Sequence, residues 1–303
     1  MKKKAKQIPV ILDTDIGNDI DDSWALSLLL KSPEVDLKYI LASTGDTEYR
    51  ARVLGKMLDF AGRSDIPIGI GRKTKDWGRR LKNWVEGYEF NSYAGPIHAN
   101  GIRQVVEMVA KLDEATILCI GPMTNIAEAL KMDSSIAAKC HLVAMSGSIR
   151  KHEEGKEGQI AEWNVRKDID AARKVYSAPW KSIRIAPLDS CGNLRMEKSY
   201  VRRIKAAKCP LIRSLVKSTD GWAQAKRDKN WPERSPILFD VVAAYLCIGS
   251  DFLDIQSMNI RIDKEGFMRF PKRPAATVAC AVDWSDCDGF KEFLTERLTA
   301  PLS

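Results

Sequence analysis

Short unbroken apolar runs alternate with stretches of helical periodicity along most of the chain. "IPVILD" (8–13), "LKYILAS" (37–43), "IPIGIG" (66–71), "ATILCIG" (115–121), "HLVAMSG" (141–147) and "SIRIAP" (182–187) read as strands. They are continuous and not alternating, as parallel strands covered on both faces require. Between them, "DSWALSLLLK" (22–31), "EYRARVLGKMLDFAG" (48–62), "GIRQVVEMVAKL" (101–112), "TNIAEALKM" (124–132) and "DIDAARKVY" (168–176) repeat apolar residues at helical spacing. The order βαβα predicts an α/β fold: an open, mostly parallel, doubly wound, Rossmann-like sheet with helices on both faces. Beyond residue 195 the pattern predicts additional C-terminal helices, one of them around 236–248, and strands at 257–262 and 276–282. No linker composition and no repeat interrupts the chain, so 1–303 is expected to form a single domain.

Composition narrows the classes further. The 48 Lys and Arg against 40 Asp and Glu give +8, but the basic residues are scattered without interleaved aromatics, which argues for solvated surface and against a nucleic-acid partner. The basic start "MKKKAK" is followed by too short an apolar stretch for a signal sequence, and no window is long enough to span a membrane. The seven cysteines are dispersed, never closer than seven residues, and form neither a metal motif nor a disulfide framework. A cytoplasmic enzyme is expected.

The candidate chemistry sits after the first strand. "DTDIGNDIDD" (13–22) places five aspartates in ten positions where a buried strand ends. Acids at a helix start are favoured by the helix dipole, which accounts for Asp21 and Asp22 but leaves Asp13 and Asp15 unexplained. A hard divalent cation accounts for the whole set. The spacing excludes an EF-hand, since Asn18 and Trp24 stand where Gly and Glu are needed. A phosphotransferase with two aspartates after its first strand is the competing reading, but it has no use for the second acidic pair.

The stretch resembles the N-terminal Asp-x-Asp-Pro-Gly-x-Asp-Asp signature of the nucleoside hydrolase family of the inosine-uridine preferring type, with Ile16 in place of Pro and two extra residues before Asp21. "IGPMTNIAEAL" (120–130), "MSGS" (145–148), "AEWNV" (161–165) and "FDVVAAYL" (239–246) follow in the family's order. The resemblance implies Ca²⁺ held by Asp15, Asp22, the Thr124 carbonyl and Asp240, with Asp15 also serving as general base. It implies ribose contacts from Asp21, Glu162 and Asn164, and a small-molecule ribonucleoside as substrate. It also implies a homodimer or homotetramer.

Each residue has a plainer role available. Thr124 reads as a helix cap, Glu162 and Asn164 as loop polars, and Met145 and Trp163 as core or wall. Asp240 is harder to dismiss, because it interrupts an apolar helical run. His98, in "GPIHANG", matches loosely a pocket-lining stretch of the family.

Two departures bear on specificity. Phe239 occupies the place of a His that protonates the leaving base in inosine-uridine enzymes, and Gly45-Asp46 stands where those enzymes carry Gly-Asn. Both resemble the purine-preferring subclass, in which aromatic rings sandwich the base. Phe239 with Trp77 or Trp84 is the expected sandwich, and Asp46 is expected to contact the nucleoside. The alternatives are a ribosyl-binding member with weak catalysis, or a hydrolase of a modified ribosyl compound, since Ser148 and the charged segment 148–159 also depart from the family pattern.

Overall fold

The computed structural model describes residues 7–75, 78–273 and 275–301. Its strands are β1 (Ile8–Thr14), β2 (Val35–Ala42), β3 (Ile68–Ile70), β4 (Ile97–His98), β5 (Ala115–Cys119), β6 (Cys140–Met145), β7 (Ser182–Ala186), β8 (Leu253–Ile262), β9 (Met268–Arg269) and β10 (Ala276–Trp284). They form one sheet in the order β4-β3-β2-β1-β5-β6-β7-β10-β8-β9. Pairing is parallel from β4 across to β7 and on to β10, and antiparallel for β8 and β9. The sheet is the open, mostly parallel, doubly wound one that the βαβα pattern predicts.

The apolar runs are unbroken because both faces are covered. Val10 and Leu12 of β1 turn toward one cluster, which includes the helices Asp21–Leu30, Thr47–Ala61, Pro210–Lys226, Phe239–Leu246 and Cys287–Thr299. Ile11 turns toward the other, with the helices Gly101–Lys111, Thr124–Met132 and Ile169–Tyr176. Helix Asp21–Leu30 is buried along nearly its whole length and packs on helix Phe239–Leu246. That contact explains why both segments are apolar on most sides.

The chain departs from the hydrophobic pattern in short or edge elements. Strand β4 falls in "GPIHANG", too short to leave a periodic signature. Helix Trp163–Lys167 forms within the polar "AEWNV" stretch, nucleated by its cap. Strand β8 begins at Leu253, four residues ahead of the predicted start, because its many exposed positions are polar. The helix expected over 236–248 is confined to Phe239–Leu246. Among the described residues no helix is long and apolar enough to cross a membrane. The N-terminal "MKKKAK" run and Trp77 lie outside the described residues.

Candidate active site

Strand order reverses between β1 and β5, the place where open α/β sheets bind ligands beyond the strand ends. There β1 runs into Asp15, and the loop after β5 presses against it. A Cβ added to Gly121 would lie 3.1 Å from the Asp15 Cβ and Oδ1, a tight contact that glycine avoids. Helix Asp21–Leu30 starts at the same end and carries Asp21 and Asp22 in its first turn. Helix Phe239–Leu246, packed beside it, carries Asp240 in its own first turn. Two helix starts thus aim three buried carboxylates at one point. Ligand-capable oxygens of Asp21, Asp22 and Asp240 all lie within 4.8 Å of one another.

Burial dominates the electrostatics of this cluster. Desolvation raises Asp21 to about 8, and Asp19 and Asp15 add repulsion to it. Desolvation, followed by neighbouring carboxylates, pushes Asp22 and Asp240 well above the ordinary range. Asp21 and Asp240 stand in hydrogen-bond contact, which two carboxylates sustain only by sharing a proton or a cation. Thr14 Oγ donates to Asp22 Oδ1. Asp15 is raised by burial and lowered by Arg50, whose Nη2 lies 3.9 Å from Asp15 Oδ2. Arg50 is itself buried, donating to the carbonyls of Thr44 at 2.8 Å and Ile16 at 2.7 Å, and its Nη2 has no hydrogen-bond partner among the described residues. One guanidinium does not balance this many carboxylates, and the oxygen-only donor set suits a hard divalent cation.

Behind the cluster, Asp13 accepts a hydrogen bond from Asn125 at 2.8 Å, and burial raises it to about 7. Glu162 caps helix Trp163–Lys167, accepting from the amides of Asn164 at 2.6 Å and Gly147 at 3.0 Å, and burial raises it to about 7. Asn164 Nδ2 donates to the Met145 carbonyl at 3.2 Å. Glu162, read from the sequence as a loop polar, is thus a helix cap that also lines the site.

These residues floor a cavity of about 800 Å³. Asp15, Asp21, Asp22, Met145, Glu162, Asn164, Phe239 and Asp240 line it. Thr124 does not, although it follows the Gly121 loop; it opens helix Thr124–Met132 and donates to Asp168 Oδ2 at 2.7 Å. Three further predicted contacts stand apart from the lining. Asp46 caps helix Thr47–Ala61 through the Tyr49 amide and pairs with Arg79 at 3.0 Å. Trp84 is packed in the core with Lys56 Nζ 5.0 Å from its ring. His98, on β4, stacks on Tyr39 and meets its hydroxyl at 3.1 Å.

The cavity also takes in Trp163, read from the sequence as core or wall, and several cations that the pattern of the chain does not single out. Trp163, 41% exposed, presents an aromatic wall. Arg80, Arg195, Lys226, Arg227 and Lys229 line the outer part. No local motif marks these cations, which arrive from separate segments. Arg50 had no signal either, since a lone Arg in an amphipathic helix reads as solvent-facing. The charged segment 148–159 is tied down by buried Asp189, which accepts from the amides of Ile149 and Arg150 at 2.8 Å and of Lys151 at 3.1 Å.

Comparison with known proteins matches this arrangement. The sequence model of the inosine-uridine preferring nucleoside hydrolases matches residues 10–289. The pyrimidine-specific ribonucleoside hydrolase RihA of Salmonella arizonae is 26% identical, over 96% of this chain and 98% of its own. RihA of Escherichia coli is 27% identical with the same coverage. Among solved structures, the plant nucleoside hydrolase PpNRh1 superposes with a TM-score of 0.82 at 22% identity, over 97% of this chain and 99% of its own. The purine-preferring ribonucleoside hydrolase of Gardnerella vaginalis superposes with 0.76 at 20% identity, over 96% and 98%. With the family match running through the strand-end aspartates, the "AEWNV" cap and the late Asp240, the chain belongs to the inosine-uridine preferring nucleoside hydrolase family and is an N-ribosyl hydrolase.

Proposed function

We propose that the chain is a Ca²⁺-dependent ribonucleoside hydrolase with a preference for purines, releasing free base and ribose. The observation that carries the reading is the convergence of Asp21, Asp22 and Asp240 at the two helix starts. Asp15, Asp22 and Asp240 would hold the ion, with the Thr124 carbonyl as a further ligand. Ca²⁺ bound there supplies Lewis acidity toward water and a hard positive centre for the ribose hydroxyls. Asp15 accepts the proton of the water that attacks C1′. Asp21, Glu162 and Asn164 orient the ribose hydroxyls. The carboxylates around the sugar favour the positive charge that develops as the C1′–N bond breaks.

Purine preference is supported by Phe239 in the place of a His and by the aromatic walls Phe239 and Trp163. Among the described residues, no His, Tyr or Cys lines the cavity to protonate a leaving base. Stacking then raises the basicity of a purine ring nitrogen toward protonation by solvent. The pyrimidine specificity in the name of the RihA relatives is the competing outcome. The seven cysteines, all free, support a cytoplasmic setting. A single domain over 1–303, assembled as a homodimer or homotetramer, completes the proposal.

The test is elemental analysis of the purified protein together with reducing-sugar release from a panel of nucleosides, with and without chelator. We expect bound Ca²⁺, inosine, adenosine or guanosine cleaved faster than uridine or cytidine, and loss of activity in chelator. Protein free of divalent metal and indifferent to chelator would sink the metal assignment, and a uridine preference would sink the purine one.

A further inference from the structure

The cavity carries opposite charges at its two ends. Its floor is the buried carboxylate cluster, whereas toward solvent Arg80, Arg195, Lys226, Arg227 and Lys229 outnumber the acids Asp19, Glu153 and Asp228 that line it with them. Some of these cations are compensated. Asp19 lies 4.0 Å from Arg80 and 3.5 Å from Lys226, and Arg195 pairs with Glu154 at 3.4 Å. Among the described residues, the side chains of Arg227 and Lys229 make neither ion pair nor hydrogen bond. The negative end of helix Pro210–Lys226 favours cations in its last turn, which accounts for Lys226 and Arg227. It does not account for Arg80 and Arg195, which come from other segments. Arg227 also adopts the left-handed conformation, φ 57°, at a helix end where glycine is the usual residue.

We propose that the mouth of the cavity is a subsite for an anionic group on the substrate, so that the enzyme takes ribosyl compounds bearing a phosphate or carboxylate in preference to neutral nucleosides. The proposal rests on the hydrolase reading and deepens it. Ribose seated on the acidic floor directs its substituents outward, and an anion there meets Arg227 and Lys229 instead of the floor carboxylates. Guanidinium and ammonium groups bind phosphate and carboxylate through charge-assisted hydrogen bonds.

The test compares matched substrates on the metal-loaded enzyme: inosine with inosine 5′-monophosphate, and uridine with its carboxylated analogue orotidine. The first pair reads a phosphate on the sugar, the second a carboxylate on the base. We expect kcat/KM for one anionic member to exceed that of its neutral partner by about tenfold or more, and the advantage to shrink with added salt. The double variant Arg227→Gly/Lys229→Ala should cut the anionic-to-neutral ratio by about tenfold. Glycine suits the left-handed position, so thermal melting of the variant should match wild type and separate charge loss from misfolding. Cleavage of neutral nucleosides with no gain for either anionic partner overturns the subsite alone, as does an unchanged ratio in the double variant. Release of neither ribose nor ribose 5-phosphate from any compound overturns the hydrolase reading and the subsite with it.

Discussion

The floor and the mouth of the cavity are both dense in charge, yet they are built by different means. The floor is made by the ends of regular elements: Asp15 just beyond β1, and Asp21, Asp22 and Asp240 in the first turns of two packed helices. The mouth is made by side chains that reach it from irregular segments and from one helix end. At the floor, burial removes water and each carboxylate feels its neighbours strongly, so protonation or a cation is required. At the mouth, water screens the same interactions, so some cations pair with acids at the surface while Arg227 and Lys229 stand without an ion pair among the described residues. Charge near charge therefore has one meaning in a buried cluster and another in a solvated rim. The two arginines make the same point. Arg50 is locked by two backbone carbonyls and lies beside Asp15, whereas among the described residues the Arg227 side chain makes no ion pair or hydrogen bond.

Breaking the floor at its reactive residue should have the largest effect. Asp15→Asn is expected to lower kcat by about 10² to 10⁴, because proton acceptance is lost together with a proposed metal ligand. Stopped assays of ribose release read this directly, and activity close to wild type would remove Asp15 from the role of base.

Removing the proposed ion should come next. For a ligand bound at a thousand times its dissociation constant the linked stabilisation is about 4 kcal/mol, so chelator should lower the melting temperature markedly. The metal-free protein should also show a characteristic pH dependence. An aspartate in the unfolded chain titrates near 3.8, whereas burial raises Asp13 to about 7 and Asp21 to about 8 in the folded one. Between those values the folded state holds protons that the unfolded state has released. Stability is then fully present below the unfolded value and is lost as pH rises through the folded ones. Melting of chelated protein should therefore fall from pH 5 to pH 8, and Ca²⁺ should restore most of the loss at the alkaline end. A chelated protein that gains stability over the same range would contradict the buried-cluster account.

Arg50→Met should cost about 3 kcal/mol in denaturant unfolding, since two buried carbonyls lose their donor and Asp15 loses its nearest cation. Arg50→Lys should recover only part, because an ammonium does not reproduce the guanidinium's two-carbonyl reach. Equal stability in Met and wild type would show that the floor does not depend on this residue. The smallest expected change is at the wall. Phe239→Ala should reduce purine turnover by up to about tenfold, the worth of an aromatic pair, while leaving bound metal unchanged. Full activity on inosine would exclude stacking on Phe239 as the source of leaving-group activation.

Much of this architecture was legible in the order of residues. Unbroken apolar runs announced strands covered on both faces, and helical spacing announced the layers between them, because burial on a repetitive backbone imposes those periods locally. The aspartates after β1 and the lone Asp240 in an apolar run were conspicuous for the same reason, since charge is costly where hydrophobic pattern predicts burial. Short elements such as β4 and helix Trp163–Lys167 left no period to detect. Asp46, Trp84 and His98 carry suitable chemistry, but Asp46 caps its own helix through the nearby Tyr49 amide, and long-range packing gave Trp84 a core position and His98 a stack on Tyr39, none of them in the cavity lining. What the sequence by itself determined is the layered fold and the acids that end its first strand and begin two of its helices. Only the tertiary structure decided that those two helices lie side by side, that Arg50 reaches Asp15, and that cations from separate loops meet at one mouth. Such contacts join residues far apart in the chain, and no local propensity encodes the partner.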